Sequence, residues 1–188
     1  MHEAVCVSTM GPAYGFEGAL RPHFAAAHNL ARWLTRTQAD AEDALQESIL
    51  RALRAWEAAR PMNPRAWLLR IVRNCCYDLR KERDRDPVDG AADVDAIPEG
   101  SSSVVGLPAD GPEVRLLRMA DGEALQHALF GLAPEFREAF LLREMEGLSY
   151  KEIADVAGVP IGTVMSRLSR ARAQLRTLLA GERRKETA

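Results

Sequence analysis

Apolar residues recur along most of the chain at spacings of three and four, which is the repeat of an amphipathic helix. Ala, Leu, Arg and Glu, all good helix formers, dominate these stretches. The pattern predicts seven helices, at about 16–35 with a bend or split near Pro22, 39–59, 64–83, 113–130, 134–146, 150–157 and 161–179. The predicted fold class is therefore all-α.

One stretch interrupts the helical pattern. Residues 84–112 are rich in Pro, Gly, Ser and Asp and have no sustained apolar period. We predict that they form a flexible acidic linker between two small helical domains, residues 14–83 and 113–180. Residues 84–113 contain eight acids and one base, so the charge of this segment is −7. Since the net charge of the whole chain is −2, the remaining residues together carry +5.

Composition narrows the class of protein. Hydrophobic residues make up 47% and charged residues 28%, which excludes disorder throughout. Since no apolar run approaches the roughly 20 residues of a membrane span and no signal peptide is apparent, a cytoplasmic protein is expected. The three cysteines (Cys6, Cys75 and Cys76) and four histidines lack metal-ligand spacing, so no metal is expected. Cys75 and Cys76 are predicted to be buried small residues rather than a redox switch.

The most specific motif is LSYKEIADVAGVPIGTVMSRLSRARAQL, residues 148–175. Ser149 is placed to cap a helix, and Glu152 three residues later completes a capping box. Gly158 suits the left-handed position that ends this helix, while Pro160 prevents its continuation and starts the next one. A short capped helix, a glycine turn and a second helix together predict a helix-turn-helix.

The second helix of that motif divides into an apolar stripe and a polar row. The stripe consists of Val164, Leu168, Ala171, Leu175 and Leu179. The polar row consists of Thr163, Ser166, Ser169, Arg170, Arg172 and Arg176. Arg and hydroxyl side chains near a helix start suit the DNA major groove, because they reach both base edges and phosphates. A merely solvated charged face is the alternative, and the capping box and glycine turn favour DNA.

The helix predicted at 64–83 has a cationic face. Its apolar arc consists of Leu68, Ile71, Val72, Cys75 and Leu79, with Trp67 at the edge. The opposite side carries Arg70, Arg73, Asn74, Tyr77, Arg80 and Lys81. These side chains offer phosphate neutralisation, base hydrogen bonds and stacking, which suits a nucleic acid strand. For this helix taken alone, a solvated amphipathic helix is the alternative.

The helix predicted at 39–59 carries its acids early and its bases late. Asp40, Glu42, Asp43, Gln46 and Glu47 precede Arg51 and Arg54. This order complements the helix dipole, which is a sufficient structural reason for it. A partner-binding surface is the second explanation, and periodicity does not choose between them.

Three segments in combination resemble a bacterial RNA polymerase sigma factor of the sigma-70 family, in the small extracytoplasmic-function (ECF) group with only conserved regions 2 and 4. The segments are DAEDALQESILRALRAW (40–56), PRAWLLRIVRNCCYDLRKER (64–83) and LAPEFREAFLLREMEGLSYKEIADVAGVPIGTVMSRLSRARAQL (132–175). The resemblance implies binding to core RNA polymerase, promoter DNA and an anti-sigma protein. It implies no cofactor, and no membrane contact except through a membrane-bound anti-sigma protein.

The same resemblance implies roles for individual residues. In region 2, residues 14–83, it implies polymerase contact through Asp43, Leu45, Gln46 and Glu47. It implies minus-ten recognition through the loop 57–63, which ends at Asn63, and through Arg70, Arg73, Asn74, Tyr77 and Arg80, with one base flipped into a loop pocket. In region 4, residues 113–180, it implies minus-thirty-five recognition by Thr163, Met165, Ser166, Ser169, Arg170 and Arg172. The linker would thread through the polymerase towards the RNA exit path.

Two positions depart from the family pattern. Met165 stands where many relatives carry Arg or Lys, so one base or phosphate contact is absent or replaced by an apolar one. Ala44-Leu45 replaces the commoner Leu-Val, a conservative change. DNA binding by the free chain is expected to be weak, with affinity gained when polymerase tethers both modules.

Two rival interpretations remain. A conventional helix-turn-helix repressor or activator would need a sensing or dimerising N-terminal module, and the sequence offers neither a sensor motif nor a heptad repeat. An enzyme would need a phosphate loop, a nucleophile elbow or a metal cluster, and the sequence contains none of these motifs. The sequence therefore predicts a non-enzymatic transcription protein.

Overall fold

The computed structural model describes residues 15–85 and 124–186, with side chains described as far as residue 180. Every regular element in these two ranges is helical. The elements are α1 (Phe16–Leu20), a 3-10 turn (Arg21–His23), α2 (Phe24–Leu34), α3 (Gln38–Ala59), α4 (Pro64–Arg85), α5 (124–130), α6 (Pro134–Glu144), α7 (Tyr150–Ala157) and α8 (Ile161–Glu186). The predicted all-α class is confirmed.

Local sequence explains where the N-terminal helices begin and end. Pro22 divides the first predicted helix, because its ring permits a 3-10 turn but not a continuous α-helix. Thr37 caps α3 by accepting the backbone N–H of Asp40 at 3.1 Å. The helix ends at Arg60, a non-glycine residue with φ of 34°.

Several helix ends differ from the sequence-based boundaries. Residues 84 and 85, predicted as linker, belong to α4, which is described as far as Arg85. The loop predicted at 57–63 is shorter, because residues 57–59 form the last turn of α3. Helix α6 stops at Glu144, ahead of a turn with Gly147 at φ of 65°. Helix α8 extends past residue 179 to Glu186, through a segment that consists, apart from Gly181, of good helix formers. Residues 86–112, predicted as a linker, and residues 113–123, predicted as helical, lie outside the described residues.

The helical modules on either side of the linker pack against each other. Helix α2 contacts α6, and α4 contacts α7. One continuous set of buried side chains includes Leu69 and Val72 from the first module and Leu142 and Ile153 from the second. The sequence did not predict this contact, because periodicity identifies the buried side of a helix but not what covers it.

Helix α4 is buried over a wider arc than its apolar period indicates. Leu68, Val72 and Cys75 of the predicted apolar arc are buried. Cys76, predicted to be buried although it lies outside that arc, is buried too, and so is Leu69, which was not predicted. Burial raises the pKa of Cys76 to about 12 and also raises the pKa of Cys75. Both thiols therefore stay protonated and unreactive at neutral pH, in agreement with their predicted role in packing. Cys6 lies outside the described residues.

Two further findings concern the described ranges alone. No helix in residues 15–85 or 124–186 is both long and apolar enough to cross a membrane. Within the same ranges, no three side chains among His, Cys, Asp and Glu are grouped so that they could hold a metal ion.

Candidate nucleic-acid and partner interface

Helices α7 and α8 form the predicted helix-turn-helix. The Ser149 hydroxyl accepts the Glu152 backbone N–H at 3.2 Å, and the Glu152 carboxylate accepts the Ser149 N–H at 2.8 Å, so the capping box is confirmed. The Ser149 backbone N–H and hydroxyl both donate to the Glu152 carboxylate, and these two hydrogen bonds lower the pKa of Glu152. Gly158 ends α7 at φ of 66°, as predicted, and the Pro160 carbonyl accepts the backbone N–H groups of Thr163 and Val164 in the first turn of α8.

Helix α8 presents the predicted polar row to solvent. Val164, Leu168, Ala171 and Leu175 are buried, and Leu179 packs at the edge of the core. Of the predicted polar row, Thr163 is half-buried and the other members, Ser166, Ser169, Arg170, Arg172 and Arg176, are exposed. Met165 is exposed beside them, and together these side chains form the outward row. Met165 is 51% exposed, and Ile161 one turn earlier is 43% exposed. The outward row therefore begins with two exposed apolar side chains, Ile161 and Met165. The sequence analysis did not identify Ile161 as part of this surface.

Within the row, Arg172 has a partner. Its guanidinium lies 2.7 Å from the carboxylate of Glu144 at the end of α6, and the hydrogen bond raises the pKa of Arg172. Both side chains are more than 40% exposed, so the pair contributes little to stability and can exchange for another acceptor.

The cationic face of α4 divides into an open half and a covered half. Arg70, Asn74 and Lys81 are exposed. Arg73, Tyr77 and Arg80 are only partly exposed. Arg73 and Tyr77 both contact Glu138 on α6, through 2.8 Å contacts to the two carboxylate oxygens. Burial, together with the neighbouring charge of Glu138, raises the pKa of Tyr77 and keeps its hydroxyl protonated.

The loop before α4 is also engaged by the C-terminal module. Asn63 accepts the backbone N–H of Ala66 at 3.1 Å through Oδ1 and donates from Nδ2 to Glu152 at 2.8 Å. Arg65 donates to Glu146, which follows α6, at 2.5 Å. Two residues next to the start of α4 therefore bind carboxylates of the other module.

Arg137 joins the ends of two helices. Its buried guanidinium donates to carbonyl oxygens of Leu129, Phe130 and Leu132 at the end of α5, and to that of Trp33 in the last turn of α2. Burial, with the nearby charge of Arg80, lowers the pKa of Arg137 to about 10. Its planar fork satisfies carbonyls that helix ends otherwise leave unpaired.

The outer face of α3 carries the residues expected to contact a partner. Asp43 and Gln46 are exposed, Glu47 is half-exposed and bonded to Arg51 at 2.7 Å, and Leu45 packs partly against the core. Sequence reasoning missed Leu50 and Leu53, which are 46% and 54% exposed. Leu50 and Leu53 lie on the same face of α3 as Asp43. Their spacing of seven and ten residues from Asp43 is the sequence signal from which they could have been predicted.

Two family models match the chain. Sigma-70 region 2 matches residues 20–86, and Sigma-70, region 4 matches residues 122–175. Neither family description names an enzyme.

Named relatives agree with these matches. The chain is 39% identical over 163 residues to the ECF RNA polymerase sigma factor SigE of Mycolicibacterium smegmatis, covering 86% of this chain but 60% of that protein. It is 34% identical over 178 residues to the ECF RNA polymerase sigma factor SigM of Mycobacterium tuberculosis, covering 94% of this chain and 83% of that one.

A solved structure is similar as well. The sigma factor RpoE of Bartonella quintana, in complex with the anti-sigma factor NepR, matches with a TM-score of 0.66 and 31% identity. The match covers 88% of this chain and 96% of that one.

Proposed function

The chain belongs to the ECF group of the sigma-70 family, whose members direct RNA polymerase to promoters, and we propose that it does so by binding core polymerase and opening promoter DNA. The observation that carries this proposal is the pairing, in one chain, of a matched region 2 and a matched region 4 whose helix-turn-helix row is exposed. The comparisons do not favour the rival repressor or activator. In this proposal the polymerase carries out the chemistry of RNA synthesis, so this chain needs no catalytic site. The chain acts in the cytoplasm, where the polymerase is.

The outer face of α3 is the proposed polymerase contact. Asp43, Gln46 and Glu47 offer charge and amide groups, while the exposed Leu50 and Leu53 offer apolar area on the same side. An apolar centre with a polar rim is the usual composition of a protein interface. Asp40 is not part of this contact, because it is buried and paired with Arg83. Its place in the first turn of α3 agrees with the helix-dipole explanation.

The loop before α4 and the cationic face of α4 are the proposed minus-ten contact. Asn63, Arg70, Arg73, Asn74, Tyr77 and Arg80 are the residues involved. Arginine neutralises phosphates, asparagine reads base edges, and the tyrosine ring stacks on an unpaired base. Together, contacts to phosphates, to base edges and to base rings suit a DNA strand that is being separated from its complement.

The outward row of α8 is the proposed minus-thirty-five contact. Its exposed hydroxyls and arginines reach phosphates and base edges in a major groove. The second helix of a helix-turn-helix enters the groove with its N-terminal residues foremost, which would bring Thr163, Met165 and Ser166 to the bases.

Transcription in vitro with core polymerase, this protein and a pooled promoter library, with sequencing of RNA starts, tests the proposal. Specific starts that share paired upstream elements are expected. Arg170→Ala and Asn74→Ala should each lower them about tenfold, the effect of losing one good base contact. Arg36→Ala and Asn29→Ala, exposed positions outside the proposed surfaces, are the matched controls. DNA binding with no polymerase-directed starts would favour the repressor instead.

We further propose an anti-sigma protein as a regulatory partner. The support is that a similar sigma factor of known structure, RpoE of Bartonella quintana, is in a complex with the anti-sigma factor NepR. Affinity capture of the full chain from its native cells should recover such a protein beside polymerase. Recovery of polymerase alone would count against it.

A further inference from the structure

All three methionines in residues 15–85 and 124–186 are exposed. Met62 is fully exposed, and Met165 and Met145 are 51% and 52% exposed. Methionine is usually a core residue, because its side chain is apolar and flexible enough to fill gaps. None of the three belongs to either core of the described ranges, so packing inside the chain does not account for them.

Met62 lies in the short loop before α4, on the proposed minus-ten surface. Pro61 and Pro64 restrict the backbone on either side of it. The Asn63 side chain fixes the same loop, since its Oδ1 accepts the backbone N–H of Ala66 at 3.1 Å. The loop therefore holds the Met62 thioether in solvent next to a candidate base contact.

Met165 lies on the proposed minus-thirty-five surface, one turn from the exposed residues Ile161 and Ser169. A thioether offers a base apolar contact and a favourable approach of sulfur to an aromatic ring. Met145 follows α6 and belongs to none of the proposed contact surfaces. Two exposed methionines thus lie where DNA is proposed to bind, and the third has the same exposure without that role.

The described thiols, by contrast, are shielded. Cys75 and Cys76 are 4% and 1% exposed, and burial raises the pKa of both, so neither forms the reactive thiolate at neutral pH. A thioether needs no ionisation to be oxidised. In the described part of the chain, the sulfur open to an oxidant is therefore that of methionine.

We propose that Met62 and Met165 are oxidation sites through which hydrogen peroxide lowers promoter recognition. The sulfur attacks one peroxide oxygen, the O–O bond breaks and an S–O bond forms. The attacked oxygen passes its proton to the departing one, which leaves as water, so sulfur is oxidised and the peroxide is reduced. The product is a polar sulfoxide that methionine sulfoxide reductases convert back. This proposal rests on the proposed function, because it assumes that both side chains contact promoter DNA.

The sulfoxide acts through the contact that it spoils. It places an acceptor oxygen, with no donor provided for it, where the thioether made apolar contact. Each oxidation should lower specific starts about tenfold, the effect of an unpaired polar group in a buried contact. Binding to core polymerase should not change, because α3, the proposed polymerase contact, contains no methionine.

The test oxidises the full chain before it meets core polymerase. After treatment with hydrogen peroxide, catalase removes the peroxide and a thiol reductant reverses any thiol oxidation. Transcription is then measured with untreated core polymerase at a promoter from the library, and peptide mapping by mass spectrometry identifies the oxidised methionines. Met62 should react first, and Met165 and Met145 at similar rates. Starts should fall as Met62 and Met165 react, and methionine sulfoxide reductase should restore them.

Leucine variants identify the sulfur atoms responsible, because leucine has a similar volume and no sulfur. Each variant is compared with its own untreated sample. Met62→Leu combined with Met165→Leu should keep its starts after treatment, although Met1, Met10 and Met119, outside the described residues, can still react. Met145→Leu, the matched control, should lose starts as the wild type does.

Three results would overturn the proposal. The first is a double variant that loses its starts on treatment, and the second is a wild type that the reductase does not restore. The third is a treated chain that no longer binds core polymerase, because the effect would then lie outside the DNA contacts.

Failure of the proposed function gives a different result. If the untreated chain directs no specific starts, the sigma function is wrong and the oxidation proposal falls with it. If the untreated chain directs specific starts, and these persist when Met62 and Met165 are both oxidised, only the oxidation proposal is wrong.

Discussion

Met165 stands exposed in a row of hydroxyl and guanidinium groups, with Ile161 beside it one turn earlier. Neither side chain can donate to or accept from a base edge. The major groove offers one apolar feature, the C5 methyl group of thymine. We therefore interpret the departure at Met165 as an exchange of a cationic contact for an apolar one.

Replacement of thymine by deoxyuridine in the minus-thirty-five element removes that methyl group and leaves base pairing intact. Transcription by the wild-type protein should fall about fourfold at the sensitive position, since one buried methyl contributes about 0.8 kcal/mol. Met165→Ala should be almost insensitive to the replacement, and Ser169→Ala should remain as sensitive as the wild type. Equal sensitivity of wild type and Met165→Ala would show that the methyl is not read by this residue.

At the scale of single elements, the helix-turn-helix followed from sequence because its signals are local. Ser149, Glu152 and Gly158 act on neighbouring backbone groups, so the sequence alone specifies the cap and the left-handed turn. Helix α4 was predicted less completely. Its period identified Leu68, Val72 and Cys75, but not Leu69 or Cys76, which lie at the edge of the arc and are buried only in the assembled chain.

The capping box should give α7 a pH-dependent contribution to stability. The pKa of Glu152 is lowered in the folded state, so the contribution is present above the unfolded pKa and is lost as the pH falls through the folded one. Urea unfolding of Glu152→Gln should therefore show a smaller loss of stability than wild type as the pH falls from about 5 to 3. Asp155→Asn, an exposed change on the same helix, should follow the wild-type curve. Parallel curves for wild type and Glu152→Gln would contradict the assignment.

At the scale of the whole molecule, the two modules share buried side chains although more than thirty residues separate them along the chain. Local patterns predicted each module but not their union, because the contacts join positions such as Arg73 and Glu138, 65 residues apart. The minus-ten candidates were identified by residue type, and their partial burial could not be predicted from the same helix.

A shared core predicts cooperative unfolding. Calorimetry of the wild-type chain should give one transition with equal calorimetric and van't Hoff enthalpies. The double variant Glu138→Gln, Glu146→Gln weakens the module interface and should resolve two transitions, whereas Glu144→Gln should keep one. Two transitions in the wild type would mean that the modules fold independently in solution.

The amide of Asn63 has a fixed polarity. Its oxygen faces a backbone N–H, which only donates, and its nitrogen faces a carboxylate, which only accepts, so the amide has one permissible orientation. If a base takes the place of Glu152 beside this amide, the oxygen still accepts the Ala66 N–H at the start of α4 and only the NH2 group faces the base. Asn63 would then act towards the base only as a hydrogen-bond donor, and would select nucleobases that present a carbonyl oxygen or a ring nitrogen acceptor. Asn63→Asp keeps the cap but reverses this polarity, so in the promoter-library experiment it should shift the preferred base towards one that presents an amino group.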